Sequence, residues 1–329
     1  LQFRTEINLP KSALQIEHHH RIITLGSCFA YNISAYLSEY RFSVMSNPFG
    51  VLYNPVSIYN TIEILRRNRT FKKDDLIFHQ GEWHSFYHHS DFSHHDAESC
   101  LEKINDRTRE TLDFIRDANI VIITYGTANV YRYKRKSLIV SNCHKLPASD
   151  FEHYRLTPEY SLKVLNETVD ILLEINPDLK IIFTVSPVRH WKDGAEENQR
   201  SKAVLLLSVE SIVKENREIC SYFSSYELLI DDLRDYRFYE DDLLHPNKQA
   251  VDYIWKKFND AYISESCKKI IKEVEQLNKA RHHRVRNPLS EEAQRFFKMQ
   301  LKKIEWLKNK YPHIKTDDDY EYFKNLIKE

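Results

Sequence analysis

Short runs of consecutive apolar residues alternate along this chain with longer stretches in which apolar residues recur every three or four positions. Arg21 to Leu25 reads as a buried strand, and Ile33, Leu37 and Tyr40 then continue at helical spacing. Phe42 to Met45 forms a second strand, and a helix follows from about Pro55 to Arg67, with proline suited to its first turn. Leu76 to His79 and Trp83 to His88 make a small β excursion around Gly81. The spacing of Leu101, Ile104, Thr108, Leu112 and Ile115 predicts a long helix from Asp96 to Asp117.

Ile120 to Thr124 and Lys180 to Val185 are nearly continuous β-branched runs, as strands buried on both faces of a parallel sheet require. Between them the pattern predicts an exposed hairpin at about 130–142 and a helix from Thr157 to Ile175. A helix over 199–216, a last strand region from Tyr222 to Ile230 and a helix ending near Tyr262 complete the alternation. Strands and long helices in this order predict an α/β fold, a three-layer αβα sandwich around a mostly parallel sheet. From Ser264 onward only charged amphipathic helices appear, so the expected division is 1–263 for the main domain and 264–329 for a helical C-terminal extension. The apolar Phe296, Phe297, Trp306 and Leu307 of that extension are expected to dock onto the main domain or onto a second copy of the chain.

Charge narrows the partners. Lys plus Arg and Asp plus Glu both number 48 in 329 residues, so no net charge draws the protein to nucleic acid or to an anionic membrane. The basic run from Lys279 to Arg286 lacks interleaved aromatics and reads as a solvated linker. Five widely spaced cysteines without a C-x-x-C argue against a disulfide scaffold or a zinc ribbon and fit reduced thiols in a cytoplasm. Neither a membrane span nor a signal-peptide pattern is visible; the chain opens on Leu1, so the sequence is silent on any leader removed before it. The histidines at 84, 88, 89, 94 and 95 lack the spacing of a metal site, and neither metal nor cofactor is expected.

Two stretches carry chemistry. Thr24-Leu25-Gly26-Ser27-Cys28-Phe29-Ala30 is a strand, an elbow and a helix start, which places Ser27 and Cys28 among unpaired amides able to hold an oxyanion. Asp242-Leu243-Leu244-His245 puts a carboxylate three residues before a histidine, close enough to hold one imidazole nitrogen and free the other as a base. A serine at this elbow is a common N-cap, and a thiol there would gain a lowered pKa from the helix start and a nearby histidine; both nucleophiles stay open. Arg189 and His190 follow a core strand at the edge where substrates bind, with Arg189 suited to a carboxylate or phosphate.

The motif Gly26-Ser27-Cys28-Phe29-Ala30 resembles the signature of the GSCFA family. Asn47-Pro48-Phe49-Gly50, Tyr125-Gly126-Thr127-Ala128, Ser186 to His190, Asp232 to Tyr239 and His245-Pro246 are similar to its other blocks, over about residues 20 to 262. The layout also resembles SGNH or GDSL-type hydrolases, which implies a flavodoxin-like sheet and a serine esterase or acyltransferase acting on an acylated, often carbohydrate, substrate. The resemblance implies Ser27 as nucleophile, His245 as base and Asp242 as its orienter, with the Gly50 amide and the Asn129 side chain completing the oxyanion hole. A gapless overlay on G-D-S puts Cys28 at the reactive position instead, and puts Ala128 where the asparagine of G-x-N-D belongs, one place before Asn129. The alternative from another class is a non-catalytic module that holds a glycan or acidic ligand at the Arg189-His190 edge.

Overall fold

The computed structural model describes residues 4–328. Five strands form the central sheet: β1 (Arg21–Gly26), β2 (Ser43–Ser46), β5 (Ile120–Tyr125), β9 (Lys180–Val185) and β10 (Cys220–Phe223). Their order is β10-β9-β5-β1-β2, and every neighbouring pair is parallel. Counted within the sheet alone this is the 2-1-3-4-5 order of a doubly wound, flavodoxin-like fold, whose direction of winding reverses between β1 and β5. Ligands of such sheets bind at the carboxyl ends of the two strands flanking that reversal.

Alternation along each strand explains the three layers. Ile23, Leu25, Val121, Ile123, Ile181 and Phe183 face one side. There they meet α2 (Pro55–Arg66), α3 (Ala97–Arg116), α4 (Pro158–Ile175) and α5 (Ala195–Glu215). Ile22, Ile120, Ile122 and Ile182 face the other side, against α1 (Cys28–Glu39), α7 (Lys248–Tyr262) and the first half of α8 (Glu265–His282). Each such isoleucine or phenylalanine, removed from water entirely, contributes on the order of 1.5–3 kcal/mol.

Two small sheets decorate this frame. β3 (Leu76–His79) pairs with β4 (Glu82–Ser85), and β6 (Asn129–Tyr133) pairs with both β7 (Leu138–Val140) and β8 (Phe151–Arg155). The hairpin expected at 130–142 is thus the larger part of a three-stranded sheet. The strand expected to run from Tyr222 to Ile230 ends at Phe223; α6 (Ser225–Glu227) and a π-turn over Leu228–Asp232 follow. Leu228 and Leu229 are buried as a helical turn against α7, so this apolar run has a different geometry from the one its composition suggests.

The core of the main unit continues past residue 263, because Cys267, Ile270, Ile271 and Val274 of α8 belong to it. Beyond them Leu277, α9 (Glu291–Lys310) and α10 (Asp317–Lys324) build a small core of their own, which includes Phe297, Leu307 and Phe323. Phe297 and Leu307 therefore fill the tail itself, whereas Trp306 stays 44% exposed. The tail is fastened to the main unit by Asp319, which accepts from Arg41 at 2.9 and 3.0 Å and from Arg281 at 2.9 Å. Among the described residues no helix is long and apolar enough to cross a membrane.

Candidate active site

The elbow after β1 exists because of Gly26. Its φ is +133°, and an added Cβ would lie 2.1 Å from the Thr124 carbonyl oxygen of the neighbouring strand. Only glycine tolerates both the conformation and the approach. The turn is locked on both sides, with the Ser27 amide donating to Thr124 O at 2.9 Å and the Leu52 amide donating to Gly26 O at 2.9 Å.

This geometry separates two adjacent side chains. Ser27 is the N-cap of α1, yet its side chain makes no capping bond, is fully buried, and its Oγ has no partner among the described residues. Cys28, one residue on, is half-buried, and its Sγ lies 3.7 Å from His245 Nε2. The structure thus brings the elbow thiol, and not the serine hydroxyl, against the imidazole.

The base loop is shaped by its aspartate. Asp242 Oδ1 accepts from the amides of Leu244 and His245, both at 2.9 Å, while Oδ2 meets His245 Nδ1 at 2.6 Å. A carboxylate serving three donors is held low, here to about 2. Closing so tight a turn forces Leu243 to φ +60°, a left-handed conformation that costs an ordinary residue energy and recurs at functional sites. Glu240 N to His245 O at 2.8 Å and the Asn247 cap of α7 hold the loop ends. With Nδ1–H donating to Asp242 Oδ2, His245 is left with Nε2 facing Cys28. Both members of the dyad are open to solvent.

The thiol is not a resting thiolate. Burial pushes the Cys28 pKa up, and the amides of Phe29 and Cys28 and the charge of Lys202 offset this only in part. The lowered pKa expected of a cysteine at a helix start is therefore overridden by desolvation, and ionisation depends on a base.

Lys202 escaped notice in the sequence because a lysine inside a charged helix reads as solvated. It is fully buried, and Nζ donates to Gly126 O at 2.6 Å and to Ser186 O at 2.7 Å, with no carboxylate partner among the described residues. Burial lowers its pKa to about 7, against a pull upward from Cys28. His190 is likewise held neutral by burial, its pKa lowered to about 3, and its Nε2 has no partner among the described residues. That nitrogen sits tight over Gly126, where an added Cβ would lie 2.8 Å from it and 3.1 Å from the Tyr53 ring.

Two expected oxyanion donors are engaged elsewhere. The Gly50 amide donates to Asn47 O at 2.8 Å inside its own turn, with Gly50 at φ +80° pressed against His89. Asn129 Nδ2 donates to Asp193 at 3.0 Å. The Gly126 and Thr127 amides are also occupied, both by Tyr53 O at 2.7 and 3.0 Å. What remains beside the thiol are the amides of Cys28 and Phe29 at the start of α1, since the Ala30 amide already donates to Ser27 O at 2.9 Å.

Two histidines of the histidine-rich segment are packed into the fold. His88 stacks on Phe49, His84 stacks on His144, and His84 Nδ1 meets Ser93 Oγ at 2.6 Å. Among the described residues no cluster of His, Cys, Asp or Glu is arranged to hold a metal ion. A hollow of about 920 Å³ runs along edge strand β10 at the opposite end of the sheet and contains none of the groups above.

Fold and site together define a doubly wound α/β protein with a Cys-His-Asp constellation at the reversal point of its sheet. The chain belongs to the GSCFA family: the family's model matches residues 21–258, and that of the GSCFA C-terminal domain matches residues 274–329. No curated protein matches the chain in a sequence search.

Proposed function

We propose that the chain is a thiol-dependent esterase or acyltransferase acting through an acyl-enzyme on Cys28. The observation that supports this most directly is the 3.7 Å approach of Cys28 Sγ to an imidazole whose other nitrogen is held by Asp242. His245 Nε2 takes the thiol proton as Sγ bonds to the substrate carbonyl carbon. The carbonyl oxygen becomes an oxyanion facing the amides of Cys28 and Phe29, and the Lys202 charge favours the same negative site. Collapse breaks the ester C–O bond, and the alcohol leaves with the proton from His245. Water or a second hydroxyl then gives its proton to His245 and attacks the thioester, which releases Cys28. Ser27 takes no chemical part, and Arg189 and His190 border the substrate.

Incubation with 4-nitrophenyl acetate, followed by peptide mass spectrometry, tests the reading. An acetyl group on the Cys28 peptide that forms far more slowly in His245→Ala is expected. A chain that gains no acetyl group at Cys28 under turnover or quench conditions returns the fold to the role of a binding module.

A further inference from the structure

Beside the base loop lies a cleft of about 440 Å³, lined by Arg189, Trp191, Tyr236, Tyr239 and Leu243 and bounded by Asp242. Its volume is that of a small-ligand site. Arg189 enters it from the carboxyl end of β9 and lies with its Cζ 5.8 Å from the centre of the Trp191 ring. Its Nε is sealed from solvent without a hydrogen-bond partner, and it forms no ion pair among the described residues.

Every other charge at this cleft is answered locally. Arg234 pairs with Asp231 at 3.0 Å, Asp235 with Arg237 at 3.7 Å, and Asp242 with His245 at 2.6 Å. His190, next in the chain, is neutral. The guanidinium of Arg189 is therefore the one cation at the cleft, among the described residues, left for a ligand, and a guanidinium matches a carboxylate or phosphate with two parallel donors. Around it Trp191 is 47% exposed, Tyr236 72% and Leu243 53%, an apolar and aromatic surface that no described residue covers.

We infer that this cleft binds an organic anion: a carboxylate or phosphate held by Arg189, on a flat aryl or sugar ring that lies against Trp191 and Tyr236. The inference rests on the acyl-transfer reading for its meaning, since Asp242 and Leu244 belong to both the cleft and the base loop. It makes the bound anion part of the substrate, anchored beside the ester that Cys28 attacks.

Calorimetric titration of the full chain with phenyl phosphate, phenylacetate and phenyl β-D-glucoside tests this without requiring turnover. At least one of the two anions is expected to bind about tenfold or more tightly than the neutral glycoside; which one does so separates phosphate from carboxylate. Arg189→Gln is expected to erase that preference, Arg189→Lys to restore part of it, and Cys28→Ala to leave it intact. Equal affinity for anion and glycoside in the unaltered chain, no measurable binding of either anion, or a preference that survives Arg189→Gln would each overturn the inference. Failure of Cys28 acylation alongside anion binding would sink only the acyl-transfer mechanism.

Discussion

Cys28 Sγ faces His245 Nε2 at 3.7 Å, while the preceding hydroxyl of Ser27 is sealed in the core without a partner. Removing each is therefore expected to have opposite consequences. Ser27→Ala should retain acyl transfer and change stability by no more than about 1 kcal/mol, since it deletes an unsatisfied buried hydroxyl. Cys28→Ala should abolish acyl transfer with melting unchanged. The contrast is Ser264, whose Oγ accepts from Cys267 N at 3.2 Å as a working cap; Ser264→Ala should cost about 1 kcal/mol by urea unfolding.

Because burial raises the Cys28 pKa, alkylation by iodoacetamide should climb only above the ordinary thiol range in His245→Ala, whereas acyl transfer by the unaltered chain should already proceed near neutrality. Lys202→Met removes a charge that favours the thiolate. With its own pKa lowered to about 7, Lys202 carries that charge mainly below neutrality, so Lys202→Met should slow acyl transfer by about three- to tenfold near pH 6.5 and thereby move the pH–rate profile upward, with alkylation near pH 8 little changed. An unmoved profile in Lys202→Met would confine that lysine to holding the Gly126 and Ser186 carbonyls.

The two glycines at strand ends should fail differently. Gly26→Ala sets a Cβ 2.1 Å from a backbone oxygen at φ +133°, and the chain is expected to lose several kcal/mol, about 3 or more, or not to fold. Gly126→Ala meets a side-chain nitrogen at 2.8 Å and the Tyr53 ring at 3.1 Å, which can shift. It should fold, with circular dichroism close to that of the unaltered chain, and lose acyl transfer.

Acid should destabilise the fold from about pH 6.5 downward through its buried histidines. His18 and His144 are lowered to about 4, and His88 to about 3, by burial. Between those values and about 6.5 the unfolded chain binds a proton at each position that the native chain does not, so stability is present above about 6.5 and lost as pH falls. Each contributes up to about 1.4 kcal/mol per pH unit within that window. Asp242 has the opposite origin and a lower window: its depressed pKa contributes above about 3.9 and is lost as pH falls through about 2. Urea unfolding from pH 8 to 5 should show the histidine slope, and His88→Phe should flatten it whatever it costs at pH 8.

The sheet was legible because Ile120 to Thr124 and Ile181 to Val185 are buried on both faces, which leaves no polar alternation to misread. Leu228 and Leu229 misled because burial, and not strand geometry, is what an apolar run reports; a helical turn packed on α7 satisfies it equally. β8, Phe151–Arg155, hid because three of its five residues are charged or histidine and only one is fully buried. At the site, the Asp242–His245 pair followed directly from spacing. The choice between Ser27 and Cys28 could not follow, since it turns on the +133° φ of Gly26, which decides the direction each successive side chain takes. Lys202 and the engaged Gly50 amide are three-dimensional facts, because both depend on carbonyls that residue type does not reveal.

One fastening reaches beyond the site. Arg41 closes the turn just after the helix that begins at Cys28, and it is gripped by Asn278 at 2.9 Å and by Asp319. During synthesis the chain emits Cys28 nearly three hundred residues before Asp319. The far end of the helix that carries Cys28 thus waits for a residue far downstream, so a ribosome-bound chain that already contains every residue of the candidate site still lacks one of its supports.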